Sequence, residues 1–120
     1  MATEFSITDR KVDDVHVIAV SGEIDLFTAP EFKQRLSVPI DEGRSSVVVD
    51  LTATTFIDSS SLGVLIGAHR RLKLHGGTLV VVSDDEAIVK TFSITGLDGV
   101  FTVLPTLEAA LGADEIRAGG

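Results

Sequence analysis

The sequence has 120 residues, 44% hydrophobic and 23% charged, a composition typical of one globular domain, and we expect residues 1–120 to form a single domain. It contains no cysteine, which excludes a disulfide scaffold and a thiolate metal site and suits a reducing compartment. The formal net charge of −8 disfavours binding to nucleic acids and to anionic membranes, because both rely on Lys and Arg, but it permits a basic protein partner.

The first predicted element is a β-hairpin. Residues 5–8 alternate between apolar and polar side chains, which is typical of a half-buried strand. Residues 15–20 form a second and longer strand, and the charged segment 9–14 reads as the connection between the two. We expect the first strand to lie at an edge of the sheet.

A helix is predicted to begin next, at Thr28, after a loop over residues 22–27. Thr28 is followed three residues later by Glu31, a spacing typical of a capping box in which side chains bond the free backbone donors of the first turn. We expect the helix to stop before Pro39, because proline disfavours helical geometry in the residue ahead of it.

The central stretch, residues 46–75, joins a predicted strand to a second predicted helix. Residues 46–51 are rich in valine, which is typical of a strand buried on both faces. The helix is predicted to run from the serines after Asp58 to about His75, with apolar residues at helical spacing. Gly63 and Gly67 lie one turn apart on it, and each costs about 1 kcal/mol relative to alanine. A close approach of backbone or of a partner would explain them, and we favour packing in the core.

The C-terminal part predicts a buried strand, a helix opened by a second capping box, a short strand, a short helix and a fraying tail. These elements cover residues 78–82, 83–96, 100–103, 105–111 and 112–120. The alternation of strands and helices calls for parallel strands joined by right-handed crossovers. The sequence therefore predicts an α/β fold with a mixed sheet of about five strands, the later ones parallel, and about four α-helices.

Motifs of common enzymes are absent. The sequence has no G-x-S-x-G elbow, no Walker A sequence and no G-x-G-x-x-G after a strand. His16, His69 and His75 have no ligand spacing to one another, so we expect no metal site and no cofactor. Asp50 and Asp58 flank one loop, and we interpret them as a strand-end acid and a capping acid. We predict no catalytic residue and no enzyme activity.

Three adjacent serines, Ser59, Ser60 and Ser61, follow Asp58 where the central helix is predicted to begin. The acid or one of the first two serines would be a favourable N-cap, and capping is the commonest reason for such residues at a helix start. One hydroxyl could instead be a switch, because a phosphate adds about −1.5 to −2 charges. Burying that charge in a protein contact would cost several kcal/mol.

Five motifs together resemble the bacterial anti-sigma-factor antagonists, which are single STAS domains. In chain order they are Gly22-Glu23-Ile24-Asp25, the strand at residues 47–51, the segment 56–65, the pair Gly76-Gly77 before a valine strand, and the segment 92–97. The match covers nearly the whole chain, and the central motif is similar to the family pattern D-S-[ST]-G-L-G.

The resemblance implies a STAS fold and a phosphorylation switch. In the family, the serine directly after the aspartate is phosphorylated by the cognate anti-sigma factor, an ATP-dependent serine kinase, which implies Ser59 as the phosphoacceptor. The unphosphorylated protein binds the anti-sigma factor and frees the sigma factor, and a metal-dependent serine phosphatase restores that form. The partner-binding residues implied by the resemblance are Glu23, Asp25, Asp58, Ser60, Ser61 and Gly63.

The sequence departs from the family pattern at Ser61, where the family usually has glycine. Ser61 could blunt docking of the kinase or simply cap the helix, and the extra hydroxyl leaves Ser60 as an alternative acceptor. The alternative function is a constitutive STAS scaffold or transport-system subunit that phosphorylation does not regulate. The N-terminus has no secretory signal pattern and no apolar run approaches the ~20 residues of a membrane span, so we expect a cytoplasmic protein.

Overall fold

The computed structural model describes residues 4–119 and shows one mixed sheet in which each strand lies next to the one before it in the chain. The first two strands are antiparallel, and every later pair is parallel. The strands are β1 Ser6–Val12, β2 Val15–Ile24, β3 Ser46–Ile57, β4 Thr78–Val82 and β5 Thr102–Leu104. The predicted α/β fold with a mixed five-stranded sheet is confirmed.

Helices cover both faces of this sheet. They are α1 Ala29–Asp41, α2 Ser59–Leu74, α3 Glu86–Ile94, α4 Leu107–Leu111 and α5 Asp114–Gly119, with a short 3-10 turn at Leu97–Gly99. The first three pack on one face, and α4 and α5 pack on the other. Val47 and Val49 of β3 point into the first core and Val48 into the second, as predicted for a strand buried on both faces.

Strands β2 and β3 both run further than predicted. Their parallel pairing continues, with two irregularities in register, until Ile24 lies opposite Ile57. The pairing holds polar residues in strand geometry, and the Thr54 hydroxyl donates to the carbonyl oxygen of Val20 at 2.8 Å. β4 pairs with β3 only as far as Asp50, so the last part of β3 extends beyond that neighbour. Residues 22–24, predicted as loop, therefore belong to β2.

The start and the end of α1 both differ from the prediction. Thr28 is the N-cap, but its side chain makes no capping bond to the helix and donates to the Glu23 carbonyl oxygen at 2.9 Å instead, so the predicted capping box is wrong. The helix also continues through Pro39 to Asp41. A proline in the last turn removes one backbone bond, and the burial of Pro39 and Ile40 against the core offsets that loss.

The cap of α3 is Asp85 rather than Ser83, the first residue of the predicted capping box. One carboxylate oxygen of Asp85 accepts from the backbone N–H of Ala87 at 2.9 Å and from that of Ile88 at 3.1 Å. Ser83 is buried, and its hydroxyl accepts from the N–H of Asp85. The predicted helix is therefore present, but an acid two residues further along the chain begins it.

The predicted fraying of residues 112–120 is wrong for the described part of that segment. Residues Asp114–Gly119 form α5, and the Ile116 side chain is only 1% exposed. Ile116 packs in the second core with Val48 and Val80, and its carbonyl oxygen accepts from the Ser46 hydroxyl at 3.2 Å. The second face of the sheet needs a cover, and Ile116 supplies part of it. Residue 120 lies outside the described residues.

One buried and one half-buried histidine predict a loss of stability at acidic pH. His16 in β2 has neither ring nitrogen hydrogen-bonded, and burial lowers its pKa below the ordinary value of 6.5. His69 packs edge-on against Phe101, and burial lowers its pKa as well. Such groups take up protons more readily in the unfolded chain, so stability is complete above about pH 6.5 and falls as the pH drops toward the folded pKa.

Urea unfolding at about pH 7.5 and about pH 5.5 measures this effect. We expect the free energy of unfolding to be smaller at the lower pH, and the difference between the two values to shrink in His16→Leu. The variant His75→Gln, which removes an exposed histidine, is the matched control. If His16→Leu kept the full wild-type difference, burial of His16 would not be its cause.

Candidate functional site

The candidate site lies at one end of the sheet, where β2 and β3 both finish. Ile24 and Ile57 are paired there, and the chain leaves them into the loop before α1 and into the first turn of α2. In open α/β sheets, ligands and partners commonly bind outside the carboxyl ends of the strands. The pairing therefore brings the G-E-I-D segment and the serine cluster together.

Asp58, one of the three candidates predicted from the sequence, is the N-cap of α2. One of its carboxylate oxygens accepts from the backbone N–H of Ser60 at 2.9 Å and from that of Ser61 at 3.2 Å. The Ser61 hydroxyl accepts in return from the N–H of Asp58 at 3.2 Å, which completes a capping box. The acid thus occupies the backbone donors at the start of the helix, and the serine motif has a structural role.

The three serines of the cluster have different environments. Ser59 is exposed, and its hydroxyl makes no hydrogen bond with any residue of the described range 4–119. Ser60 is half-buried, and its hydroxyl is likewise unbonded within that range. Ser61 is fully buried at 0% exposure, and its hydroxyl donates to the carbonyl oxygen of Ile24 at 2.5 Å.

The prediction that the Ser61 side chain contacts a partner therefore needs correction. Its side chain is enclosed between α2 and the end of β2, so neither a kinase nor a binding partner reaches the hydroxyl in this conformation. The bond to Ile24 attaches the first turn of α2 to the strand that leads into the neighbouring loop. A glycine at this position would lack that attachment, which gives the departure from the family pattern a structural meaning.

Asp25 holds the loop over residues 25–28 in one shape. One carboxylate oxygen accepts from the backbone N–H of Phe27 at 2.9 Å and of Thr28 at 3.0 Å, and the Thr28 hydroxyl accepts from the N–H of Asp25 at 2.9 Å. The N–H of Thr28, with a further contribution from that of Phe27, holds the pKa of the Asp25 carboxyl below its ordinary value. The Asp25 carboxylate, which was predicted to bind a partner, thus bonds backbone donors of its own loop. Glu23, which was predicted to bind a partner as well, is exposed.

Two apolar residues of this loop were not among the predicted site residues. Leu26 is 69% exposed and Phe27 is 88% exposed, although both are large hydrophobic side chains. The signal available in the sequence was an apolar pair between the acid Asp25 and a helix start. Such a pair is more often buried, so the pattern alone does not indicate exposure.

A groove between α1 and α2 adjoins the serine cluster. Its volume is about 530 Å³, and Ser60, Gly63 and Gly67 contribute to its lining. Both glycines are exposed, and a Cβ atom at either would meet no atom within 4 Å outside its own stretch of helix, so the expectation that they pack in the core is wrong. Arg71 crosses from α2 to bond Asp41 of α1. Gly63 thus lies on an open surface that begins next to the serines.

The described residues 4–119 contain no candidate metal site and no candidate membrane span. No group of three or more His, Asp or Glu side chains there is arranged to hold a metal ion. Within the same residues, no helix has both the length and the apolar character needed to span a bilayer.

Comparison with known proteins gives consistent matches. A family model described as STAS domain matches residues 6–110. The anti-sigma-B factor antagonist of Listeria monocytogenes is 34% identical over 104 residues, which cover 86% of this chain and 90% of that protein. The crystal structure of an anti-sigma factor antagonist from Mycobacterium paratuberculosis superposes with a TM-score of 0.87 at 33% identity and 95% coverage of both chains.

A third match concerns the fold alone. The structure of the Bacillus cell fate determinant SpoIIAA in the phosphorylated form has a TM-score of 0.70 at 24% identity, over 91% of this chain and 97% of that one. The family model extends over the sheet and the capped serine cluster together, and the relative at 34% identity covers 86% of the chain. The chain therefore belongs to the STAS domain family, and it is related over most of its length to the anti-sigma-factor antagonists.

Proposed function

We propose that this protein is a cytoplasmic anti-sigma-factor antagonist controlled by phosphorylation of Ser59. In the unphosphorylated form it binds an anti-sigma factor that has serine kinase activity, and the sigma factor is released. Phosphorylation by that kinase ends the binding, and a metal-dependent serine phosphatase reverses it. The protein acts by binding and carries out no catalysis of its own. The observation that carries the proposal is the exposed, unbonded hydroxyl of Ser59 directly after the capping Asp58.

The choice of Ser59 rests on the contrast among the three serines. A kinase must reach the hydroxyl from solvent, and Ser59 is the exposed member of the cluster. Ser60 is half-buried and borders the groove between α1 and α2, which makes it the alternative acceptor. Ser61 is buried and bonded to Ile24, which argues against its modification. SpoIIAA, a protein of this fold, has been solved in a phosphorylated form, which agrees with a modification of this kind.

The bonding of Asp58 supports a switch that acts on binding rather than on the fold. The backbone donors of Ser60 and Ser61 are already taken by the Asp58 carboxylate, and that of Leu62 bonds the Asp58 carbonyl oxygen. A phosphate on Ser59 would therefore add about −1.5 to −2 charges without capping the first turn. The charge would stay on the exposed surface, where a docking partner would have to bury it at a cost of several kcal/mol.

The proposed contact surface divides into two sets of residues. Glu23, Ser60 and Gly63 are at least partly exposed and are proposed to touch the partner directly. Asp25 and Asp58 are proposed to act mainly by holding the loop and the first turn of α2 in shape, since their carboxylates bond backbone donors. The net charge of −8 suits a basic patch on the anti-sigma factor.

Incubation with the cognate anti-sigma factor, ATP and Mg²⁺ tests this function directly. We expect intact-mass analysis to show the gain of one phosphoryl group and peptide sequencing to place it on Ser59. The variant Ser59→Ala should gain none while still binding the anti-sigma factor. A phosphoryl group on Ser60 would keep the mechanism and move its site. No phosphorylation by an active kinase would favour the alternative, a constitutive STAS scaffold or transport-system subunit.

A further inference from the structure

The two exposed side chains of the loop over residues 25–28 form a feature that we call the apolar loop tip, Leu26 and Phe27. Phe27 is the most exposed large hydrophobic residue among residues 4–119, at 88%. Scattered surface hydrophobic residues are ordinary, but two adjacent ones at a loop apex form a protruding apolar contact. Nothing in the two cores requires them, because neither contributes to the hydrophobic clusters of the described residues.

The backbone under the loop tip is fixed before any partner arrives. The Asp25 carboxylate bonds the N–H groups of Phe27 and Thr28, and the Asp25 carbonyl oxygen accepts from the N–H of Ala29 at 2.8 Å. The Thr28 hydroxyl adds a bond to the Glu23 carbonyl oxygen. A preorganised loop loses little conformational entropy on binding, so its exposed aromatic side chain is suited to act as an anchor.

A hydrogen bond joins the segment that carries the loop tip to the serine cluster. The Ser61 hydroxyl bonds the carbonyl oxygen of Ile24, which stands two residues before Leu26. Ser59 in turn stands two residues before Ser61 at the start of the same helix. The proposed phosphoacceptor and the apolar loop tip therefore belong to one surface, whose relative arrangement is held by a buried hydrogen bond.

We propose that Leu26 and Phe27 are anchors that insert into an apolar pocket of the anti-sigma factor, and that Lys and Arg residues line the rim of that pocket. This inference rests on the proposed function and names the residues that supply its affinity and partner choice. Aromatic residues in a fixed loop are typical binding hot spots, surrounded by contacts that contribute less.

The charges around the loop tip support a basic protein partner rather than a second copy of this chain. Glu23 and Asp25 precede the tip and Glu31 follows it, all on a chain with a net charge of −8. Two copies that met through their loop tips would bring these carboxylates together, and like charges across an interface oppose association. A basic rim on the partner would be attracted by the same carboxylates.

Isothermal titration calorimetry of the wild type, Phe27→Ala, Leu26→Ala and Leu74→Ala against the cognate anti-sigma factor tests this proposal. Leu74 is 82% exposed at the far end of α2, so Leu74→Ala removes an equally exposed apolar side chain away from the proposed surface. We expect Phe27→Ala to raise Kd by about 30-fold and Leu26→Ala by about 10-fold, with Leu74→Ala within about 2-fold of the wild type. The melting temperature should be unchanged in all three variants, because the replaced side chains are exposed.

The outcomes separate this inference from the function on which it rests. If the wild type binds the anti-sigma factor and both loop variants bind equally well, the anchor role is overturned while the proposed function stands. If the wild type does not bind at all, the proposed function fails. Sedimentation of the isolated protein completes the test, since a wild-type dimer that Phe27→Ala converts to a monomer would assign the loop tip to a second copy and overturn the inference.

Discussion

Ser59→Asp is expected to weaken binding to the anti-sigma factor by about 100-fold or more. The new carboxylate would stand at the start of α2, where the nearest backbone donors already bond Asp58. An anti-sigma factor that packs closely over Ser59 would bury the new charge, and taking an ion out of water costs several kcal/mol. Each ~1.4 kcal/mol of binding free energy changes the affinity tenfold, so a 100-fold loss of affinity corresponds to about 2.8 kcal/mol.

The same substitution should leave the fold nearly unchanged. An acid in the first turn of a helix gains about 0.3–1 kcal/mol from the helix dipole. Repulsion from the neighbouring Asp58 opposes that gain, and Ser59 is exposed, so no packing is lost. We therefore expect the melting temperature of Ser59→Asp to stay within a few degrees of the wild type.

Calorimetric titration against the anti-sigma factor measures the effect, with two controls. Ser59→Ala removes the hydroxyl without adding charge and should bind like the wild type. Ser93→Asp adds the same charge in the last turn of α3, on an exposed side chain, and should also bind normally. Wild-type affinity in Ser59→Asp would show that the switch lies elsewhere in the protein.

Ile116→Ala is expected to lower the free energy of unfolding by about 2–5 kcal/mol, the range for removing a buried isoleucine from a packed core. Ile116 is 1% exposed and covers the face of the sheet that holds Val48 and Val80. The loss of unfolding free energy should approach the upper end of this range if removal of the side chain also loosens α5. The hydrogen bond from the Ser46 hydroxyl to the Ile116 carbonyl oxygen would then weaken as well. Urea unfolding at neutral pH measures the difference.

A matched substitution separates burial from any general effect of losing an isoleucine. Ile94 at the end of α3 is well exposed, so Ile94→Ala should change stability by no more than about 0.5 kcal/mol. Equal stabilities of Ile116→Ala and Ile94→Ala would mean that the C-terminal segment frays in solution, as its composition alone suggested.

Local patterns in the sequence predicted which helices and strands are present better than they predicted the residues at which these begin and end. The valines at residues 47–49 are enough to indicate a strand buried on both faces, and the mixed topology follows from the order of the elements. The threonines at residues 52–55 are compatible with an extension of β3 to Ile57, but its end is set by pairing with β2, which is distant in the chain. The helical tail was missed because the face it covers is formed by residues far away in the chain.

In the candidate site, too, features set by neighbouring residues were predictable from the sequence, whereas features set by residues distant in the chain were not. Asp58 was predictable as the cap of α2, since capping depends on residues one to three positions away. The burial of Ser61 was not, because its acceptor, the carbonyl oxygen of Ile24, stands 37 residues earlier. The exposure of Phe27 likewise depends on how Asp25 fixes the loop, which composition and periodicity do not reveal.

The order of the strands in the sheet also has a consequence for synthesis. Because each strand pairs with the one made just before it, a chain leaving the ribosome can extend its sheet one strand at a time. The helices α1, α2 and α3 are made between the strands and can cover the first face as it grows. The other face has no cover until α4 and α5, which follow all five strands in the chain, are released. When all five strands have paired, the valines on the second face of the sheet are therefore still uncovered, and the docking of α4 and α5 completes the core.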